Sequence, residues 1–282
     1  MSVDRDSALQ VVRTALREDL RHGPDATTEA TVPAEAVAEA GFNTRSAGVL
    51  AGVPVVRAVL DEVIGADRYT VLAERADGDR VRAEDCALRV RAPVRGLLTA
   101  ERTALNLLCH LSGIASRTRQ WVDAVSGTGC VIRDSRKTLP GMRDLQKYAV
   151  RCGGGRNHRM GLGDALLIKD NHVVAAGSVV AAVRACRLRA PDLPMEVEVS
   201  TVDELAEVLD EDVDLVLLDN FTPQQCAAAV ALVRERGCGT ELEASGGLTL
   251  QHAREYAATG VGYLAVGGLT HSAPSLDLGL DM

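Results

Sequence analysis

The sequence predicts an α/β protein in which an N-terminal α+β domain precedes an incomplete parallel α/β barrel, TIM-like but of about six strands. Two observations predict this fold. From residue 130 onward, short apolar runs alternate with helix-length amphipathic segments, which is typical of repeated βα units around a parallel sheet. Each run also ends in polar residues or glycines. A barrel gathers the carboxyl ends of all its strands at one mouth, whereas an open doubly wound sheet spreads most of them away from its crevice, so we expect a barrel.

The N-terminal region has the pattern of a small α+β unit. Residues 7–20 carry apolar side chains at helical spacing, with Ser7 as the expected N-cap. Short apolar or alternating runs over 34–93 predict a small sheet with one helix, 55–64, laid on it. A helical pattern over 97–125 then joins the two regions. The expected domains are an N-terminal domain, a barrel and a C-terminal tail that could pack on the N-terminal domain: 1–110, 111–270 and 271–282.

The predicted barrel strands and helices alternate along the second half of the chain. Six strands are fewer than the eight of a complete TIM barrel, so we expect the barrel to be incomplete. The predicted strands are 130–134, 165–170, 195–200, 214–220, 241–247 and 262–268. The predicted helices between them are 177–189, 202–211, 223–236 and 249–258.

The composition excludes several classes of function. Aromatic residues make up only 2% of the chain and the net charge is −8, so few rings are present to stack bases and a polyanion is repelled. No apolar run approaches the length of a membrane span, and the acidic N-terminal segment lacks the pattern of a signal peptide. The seven cysteines include no C-x-x-C pair, which argues against a disulfide framework and a structural zinc site. We expect a soluble, cytoplasmic protein that binds neither nucleic acid nor membrane.

Carboxylates and cations are predicted to meet inside the barrel. Strand alternation places Glu196 on one face with Glu198, and Glu241 on one face with Glu243, and we expect these faces to point into the lumen. Carboxylates in a low-dielectric lumen are costly unless cations, hydrogen bonds or a metal meet them. A purely structural ion-pair network is the alternative explanation. The cations nearby in sequence are Arg136, Lys137, Arg159 and Lys169.

Glycine-rich turns follow the last two predicted strands. In such turns backbone N–H groups can point at an anion, and the following helix adds the positive end of its dipole. The loops after the last two strands of parallel barrels are a recurrent phosphate site. We therefore expect phosphate at Ser245, Gly246, Gly247, Gly267 and Gly268.

The densest group of polar residues lies in 151–172, RCGGGRNHRMGLGDALLIKDNH. Three consecutive glycines forbid a regular helix and allow close backbone approach just before His158 and Arg159. A fork-shaped Arg beside a His, with further cations one strand earlier, suits a small ligand that bears more than one carboxylate. No base is identifiable for Cys152 as a nucleophile, so we expect an inert thiol, and we expect His172 to be a structural residue rather than a metal ligand.

Lysine is scarce in this chain. Only Lys137, Lys147 and Lys169 among the 31 cationic residues are lysines, so Arg serves as the ordinary surface cation. A Lys that persists against this bias is a candidate for a role that only an ammonium can fill. We assign such roles to Lys137 and Lys169 and interpret Lys147, in a helical stretch, as an ordinary cation.

Six motifs and the glycine-rich stretch through His158-Arg159 carry a likeness to a known family. The motifs are ERTALNLL (101–108), SRKTLPGMR (135–143), LIKDNH (167–172), MEVEVS (195–200), LLDN (217–220) and EASGG (243–247). With these motifs the chain resembles the quinolinate phosphoribosyltransferase family over essentially its whole length. Ser135 stands where the family pattern has Thr, and it keeps the hydroxyl.

The resemblance implies a sandwich-like N-terminal α+β domain, an incomplete α/β barrel and a transferase of NAD biosynthesis. The implied reaction joins quinolinate to phosphoribosyl pyrophosphate in the presence of Mg²⁺ and gives nicotinate mononucleotide, pyrophosphate and CO₂. The family also implies a homodimer in which Arg102 is contributed across the interface.

The resemblance further implies roles for individual residues. Arg102, Arg136, His158 and Arg159 would bind the quinolinate carboxylates, and Lys137 and Lys169 would face both substrates. Glu198 and Asp219 would hold the ribose hydroxyls and the metal. The implied phosphate ligands are those of the glycine-rich turns, and the implied catalytic residues are Lys137, Lys169, Glu198 and Asp219.

Three other functions remain as alternatives. A Schiff-base lyase would use Lys169 as its nucleophile, although the paired arginines disfavour it. A non-catalytic relative would bind anions without turnover, which the complete set of cations and acids disfavours. Nicotinate phosphoribosyltransferase needs only one carboxylate clamp, so the surplus of Arg and His favours the dicarboxylate substrate.

Overall fold

The computed structural model describes residues 3–282, which divide into two compact units. The first unit contains 3–119, 138–154 and 268–282, and the second contains 120–137 and 155–267. The predicted boundaries near residues 110 and 270 stay a prediction. No helix in the described part of the chain is long and apolar enough to cross a membrane.

Helices and strands alternate through most of the chain. The helices are α1 Arg5–Asp19, α2 Ala26–Thr31, α3 Val53–Val63, α4 Val94–Ala124, α5 Arg143–Cys152, α6 Asp170–Ala176, α7 Val179–Arg189, α8 Val202–Leu209, α9 Pro223–Arg236, α10 Ala253–Ala258 and α11 Gly268–His271. The strands are β1 Val37–Thr44, β2 Gly48–Val49, β3 Thr70–Glu74, β4 Arg80–Val81, β5 Cys86–Pro93, β6 Val131–Arg133, β7 Leu166–Ile168, β8 Met195–Val199, β9 Leu215–Asp219, β10 Glu241–Ser245, β11 Tyr263–Ala265 and β12 Leu278–Asp281.

The first unit is built on a four-stranded antiparallel sheet in the order β12-β1-β5-β3. Phe42 in β1 is buried and faces Leu88 of β5 on one side and Leu280 of β12 on the other. The C-terminal residues of the chain therefore complete the sheet of the first unit. Strands β2 and β4 pair with each other in a separate two-stranded antiparallel sheet.

Two local details of the first unit differ from the sequence analysis or explain a residue choice. Asp4 rather than Ser7 caps α1, because the Asp4 carboxylate accepts the Ser7 backbone N–H at 2.8 Å. Gly113 lies within the unbroken helix α4. A Cβ at Gly113 would lie 2.2 Å from the Pro274 carbonyl oxygen, so glycine permits the C-terminal segment to pack against the helix.

The second unit is a six-stranded parallel sheet in the order β6-β11-β10-β9-β8-β7, with the helices of the βα repeat between its strands. The first two strands along the chain, β6 and β7, form opposite ends of this order, and no strand pairing joins them among the described residues. This arrangement confirms the predicted incomplete parallel barrel.

One short helix was not predicted. The segment predicted as 177–189 forms α7, and a separate short helix, α6, precedes it. Gly177 ends α6 with a φ of +92°, and the Ser178 hydroxyl then accepts the Ala181 N–H to begin α7. The chain therefore turns sharply after α6.

Candidate active site at the carboxyl ends of the barrel strands

A cavity of about 340 Å³ lies at the carboxyl ends of the strands of the second unit. Most residues predicted for the site line it. Those predicted residues are Arg136, Lys137, His158, Arg159, Lys169, Glu198, Asp219, Ser245 and Gly267. The other lining residues are Ser135, Leu167, Leu217, Glu243 and Ala265.

Parallel strand register explains why distant residues meet here. Asp219 and Ser245 end neighbouring strands and are direct register partners. Glu198 lies one residue before the end of β8, the strand on the other side of β9. Because the carboxyl ends of parallel strands share one edge, these side chains converge on one cavity.

Lys169 follows β7 directly and is ion-paired with Glu198 on β8. The Lys169 backbone N–H donates to Nδ1 of His172 at 2.9 Å, at the start of α6. His172 therefore fixes the chain where it turns away from the strand, which is the structural role expected of it. The Lys169 side chain remains 44% exposed, whereas the Glu198 side chain is only 13% exposed.

Arg136 and Arg159 lie close enough for their charges to repel. Within the described residues, Nε of Arg136 is buried and has no hydrogen-bond partner. Burial and the neighbouring Arg136 charge both lower the pKa of Arg159. An anionic ligand would relieve the repulsion and satisfy the buried donor, which is what a carboxylate clamp requires.

The turn after β10 is built for close backbone approach. Gly246 has a φ of +87°, and a Cβ there would lie 2.2 Å from Oδ1 of Asn220. Gly247 has a φ of +60°. The Asn220 N–H also donates to the Ser245 carbonyl at 2.9 Å, which joins the turns after β9 and β10. Gly246 and Gly247 do not themselves line the cavity in the described residues, and Gly268 begins α11 in the first unit.

His158 is held by a buried cluster that sequence analysis did not assemble. The Asp134 carboxylate accepts the His158 backbone N–H at 2.8 Å and so fixes the loop that carries the ring. The Arg159 backbone N–H donates to Nδ1 of His158 at 2.8 Å. Because Nδ1 accepts this hydrogen bond, the ring hydrogen is on Nε2, which donates a hydrogen bond to Oε2 of Glu196 at 2.6 Å. Both ring nitrogens are thus engaged within the protein.

Glu243 completes this cluster. Its side chain has no exposure, and its Oε2 accepts from Arg133 at 2.6 Å. Its Oε1 lies 3.6 Å from Nε2 of His158 and has no hydrogen-bond partner in the part of the chain described. Burial and the neighbouring Glu196 charge raise the pKa of the Glu243 carboxyl.

The cluster resembles a metal site but its hydrogen bonds oppose one. One ligand atom from each of His158, Glu196 and Glu243 lies within 4.8 Å of the others. A metal on Nε2 requires that nitrogen to be free of its hydrogen, whereas the Arg159 N–H leaves the hydrogen on Nε2. Arg133 of β6, which is ion-paired with Glu243, further disfavours a divalent cation.

Sequence patterns did not single out Arg133 or the pairing of Glu196 with His158. Arg133 packs its guanidinium over the Tyr263 ring at 4.8 Å while it binds Glu243. Strand alternation, which pairs Glu196 with Glu198 and Glu241 with Glu243, was the signal for the two buried acids. Their partners lie on β6 and its following loop, which no local pattern connects to β8 or β10.

Other singled-out residues lie in the first unit. Arg102 is on α4, 66% exposed, and paired with Glu101 at 3.0 Å. Burial raises the pKa of the Cys152 thiol to about 12, which fits an inert cysteine. Lys147 is wholly buried on α5, so its interpretation as an ordinary surface cation is wrong. Residues 145–150 of α5 are all buried, and helical spacing in so short a segment does not reveal that a helix is buried on every side.

Known proteins are similar to this chain in sequence and in fold. Residues 25–112 match the quinolinate phosphoribosyl transferase N-terminal domain, and residues 114–281 match the C-terminal domain of the same family. The chain is 57% identical to the nicotinate-nucleotide pyrophosphorylase [carboxylating] of Mycobacterium leprae over 98% of both chains. It is 36% identical to the human protein of that name over 96% of this chain and 90% of the other.

A solved structure has the same architecture. The nicotinate-nucleotide pyrophosphorylase of Francisella tularensis superposes with a TM-score of 0.93 at 36% identity, over 99% of this chain and 97% of the other. The similarity therefore extends over both units.

Proposed function

The chain belongs to the quinolinate phosphoribosyl transferase family, and from that premise we propose how its strand-end cavity performs the family's reaction. The enzyme transfers a phosphoribosyl group from phosphoribosyl pyrophosphate to quinolinate with loss of CO₂, giving nicotinate mononucleotide and pyrophosphate for NAD biosynthesis. The observation that carries the assignment of the site is the cavity itself, in which four cations face two strand-end carboxylates.

The cations bind the two anionic substrates. Arg136 and Arg159 form a clamp for the adjacent carboxylates of quinolinate, because two forks of fixed geometry suit a planar dicarboxylate. His158, buried behind Arg159, orders this clamp. The side chains of Lys137 and Lys169 contact both quinolinate and the pyrophosphate of the donor.

The carboxylates act on the ribose. Departure of pyrophosphate from C1 leaves positive charge on the sugar ring, which Glu198 and Asp219 stabilise while they bind the ribose hydroxyls. Lys137 and Lys169 neutralise the charge that develops on the leaving group. The turns at Ser245–Gly247 and Gly267–Gly268 cradle the phosphate through their backbone N–H groups. No side chain is covalently modified in this scheme.

Mg²⁺ fits the donor set of Glu198 and Asp219. The two carboxylates end adjacent strands and line the cavity, and Mg²⁺ is usually held by one or two carboxylates together with substrate oxygens. Neither belongs to a group of three clustered ligands within the described residues, which supports a site completed by the substrate. When bound there, Mg²⁺ would neutralise the pyrophosphate leaving group.

We further propose a homodimer in which Arg102 of one protomer reaches the cavity of its partner. Arg102 is exposed and pairs with the neighbouring Glu101 in a surface ion pair, which a substrate carboxylate can replace. A two-fold interface would supply this residue twice through one isologous contact. The cytoplasm is the proposed compartment, supported by seven cysteines without a C-x-x-C pair.

The competing functions predict different products. The Lys169–Glu198 ion pair argues against a Schiff-base lyase, because an ammonium held by a carboxylate is not a nucleophile. Purified enzyme is incubated with phosphoribosyl pyrophosphate, Mg²⁺ and either quinolinate or nicotinate. We expect nicotinate mononucleotide to form in the incubation with quinolinate and not in the incubation with nicotinate. Equal turnover of nicotinate would overturn the substrate assignment, and inactivation by borohydride with a carbonyl substrate would support the lyase.

A further inference from the structure

Glu243 is a buried acid in the substrate cavity with one oxygen unused. It lines the cavity although its side chain has no exposed surface. Arg133 occupies Oε2 at 2.6 Å, and Oε1 faces the space beside Nε2 of His158. A proton on Glu243 would therefore reside on Oε1, because Oε2 already accepts a hydrogen bond.

The charges around Glu243 favour a proton there once substrate binds. Glu196 on β8, Arg133 on β6, Cys130 just before β6 and His158 in the loop before β7 are the charged or titratable groups around Glu243. Arg159, in the same loop as His158, interacts with Glu196. Because Nδ1 of His158 accepts the Arg159 N–H, the two guanidinium groups of Arg133 and Arg159 are left to balance the two acids. A dicarboxylate bound in the clamp neutralises the charge of Arg159. Glu196 and Glu243 are then balanced by Arg133 alone. The pKa of Glu243, already raised by burial and by Glu196, then rises further.

We propose that Glu243 is the general acid that protonates ring carbon C2 when CO₂ leaves, a role that rests on the proposed function of this cavity. Nicotinate keeps the 3-carboxylate of quinolinate, so the 2-carboxylate is lost. The bond between C2 and that carboxylate breaks and its electron pair stays on C2. The Oε1–H bond of Glu243 then breaks, its proton joins C2, and Glu243 remains as a carboxylate. Water supplies one proton to Glu243 before the next turnover.

Binding alone gives the first test. Quinolinate is titrated into wild-type enzyme without the phosphoribosyl donor, by calorimetry in two buffers of different ionisation enthalpy at slightly alkaline pH. We expect proton uptake on binding, and its loss in Glu243→Gln with quinolinate still bound. Glu241→Gln is the matched control, because Glu241 lies on the same strand, is exposed, and binds the Tyr263 hydroxyl. Absence of proton uptake in the wild type overturns the proposal even if no variant folds.

Chemistry gives the second test. In single turnovers, pyrophosphate and CO₂ are measured separately for wild type, Glu243→Gln and Glu241→Gln. Since a general acid contributes about 10²–10⁴-fold, Glu243→Gln should slow CO₂ release by at least about 100-fold while pyrophosphate release persists. Equal slowing of both products would indicate a structural role and overturn the proposal, as would unchanged CO₂ release.

The pH profile separates acid catalysis from packing. A carboxyl that must hold its proton works below its pKa, so wild-type CO₂ release should fall as pH rises through that value. The residual rate of Glu243→Gln should lack this fall, and a fall that persists overturns the assignment. If wild-type enzyme releases neither product from quinolinate, the proposed function itself fails, which is a different result.

Discussion

Nε2 of His158 donates to Oε2 of Glu196 across 2.6 Å inside the barrel, and this bond sets the orientation of the ring behind the arginine clamp. Glu196→Ala should leave the buried N–H without an acceptor and cost about 1–3 kcal/mol of unfolding free energy. Glu196→Gln should cost less, because the amide oxygen can still accept. Urea denaturation of both variants measures the difference. Equal losses in the two variants would show that this hydrogen bond does not hold His158.

Lys137 and Lys169 should not tolerate replacement by Arg. An ammonium is a compact charge on a flexible stem, whereas the guanidinium is a rigid planar fork. Each of Lys137→Arg and Lys169→Arg should lower kcat by about 100–1000-fold, the scale of one lost transition-state contact. Steady-state kinetics with quinolinate measures the loss. Near wild-type turnover in both variants would remove these residues from the site.

Lys147→Arg cannot serve as the neutral control for that experiment. Lys147 is wholly buried on α5, so the longer and wider guanidinium must be accommodated in a packed interior. Thermal unfolding of the Lys137 and Lys169 variants is the better control, since both side chains reach the cavity and their replacement should leave the melting temperature nearly unchanged.

Mg²⁺ should bind weakly to the free enzyme and more tightly when phosphoribosyl pyrophosphate is present. Glu198 is paired with Lys169, and two carboxylates alone give an incomplete coordination shell that substrate oxygens would complete. Calorimetry of Mg²⁺ with and without the donor measures the difference. Tight binding to the free enzyme would contradict a site shared with substrate.

Arg102 and Lys169 should complement each other in mixed dimers. Arg102→Ala and Lys169→Ala homodimers should each be nearly inactive, because each change breaks both sites. In a hybrid dimer, one active site contains both substitutions and the other contains neither. Unfolding and reassociating an equimolar mixture should restore about one quarter of wild-type activity if pairing is random.

The outcome depends on hybrids being present, which native mass spectrometry establishes. If hybrids form and the mixture stays as inactive as the separate variants, Arg102 does not act across the interface.

Sequence patterns predicted the features that are local or that parallel strands bring together. Helix α9 was predicted with its observed bounds because Thr222 caps its start and Gly237 ends it with a φ of +63°. Glu198, Asp219 and Ser245 were predicted together because strand ends meet at one edge.

The buried cluster could not be predicted in the same way. His158 is held by Asp134 and Glu196, and Glu243 by Arg133, through contacts between strands that are distant in the chain. Helix α6 was also missed, because its seven residues are too few to show helical periodicity. Lys147 is buried because residues 145–150 of α5 are buried all round the helix, which the polar residues of that segment do not reveal.

The dicarboxylate clamp is tested most directly by the kcat/KM of Arg159→Lys for quinolinate. Arg254→Lys is the matched control. Arg254 is exposed and binds only backbone carbonyls near the end of α4 in its described contacts. Wild type and Arg254→Lys should release one CO₂ and one pyrophosphate for each nicotinate mononucleotide formed from quinolinate. Arg159→Lys should lose about 100-fold or more in kcat/KM for quinolinate, because a point charge cannot replace the fork. Unchanged quinolinate turnover in Arg159→Lys would contradict the assignment of this cavity as the site of the reaction.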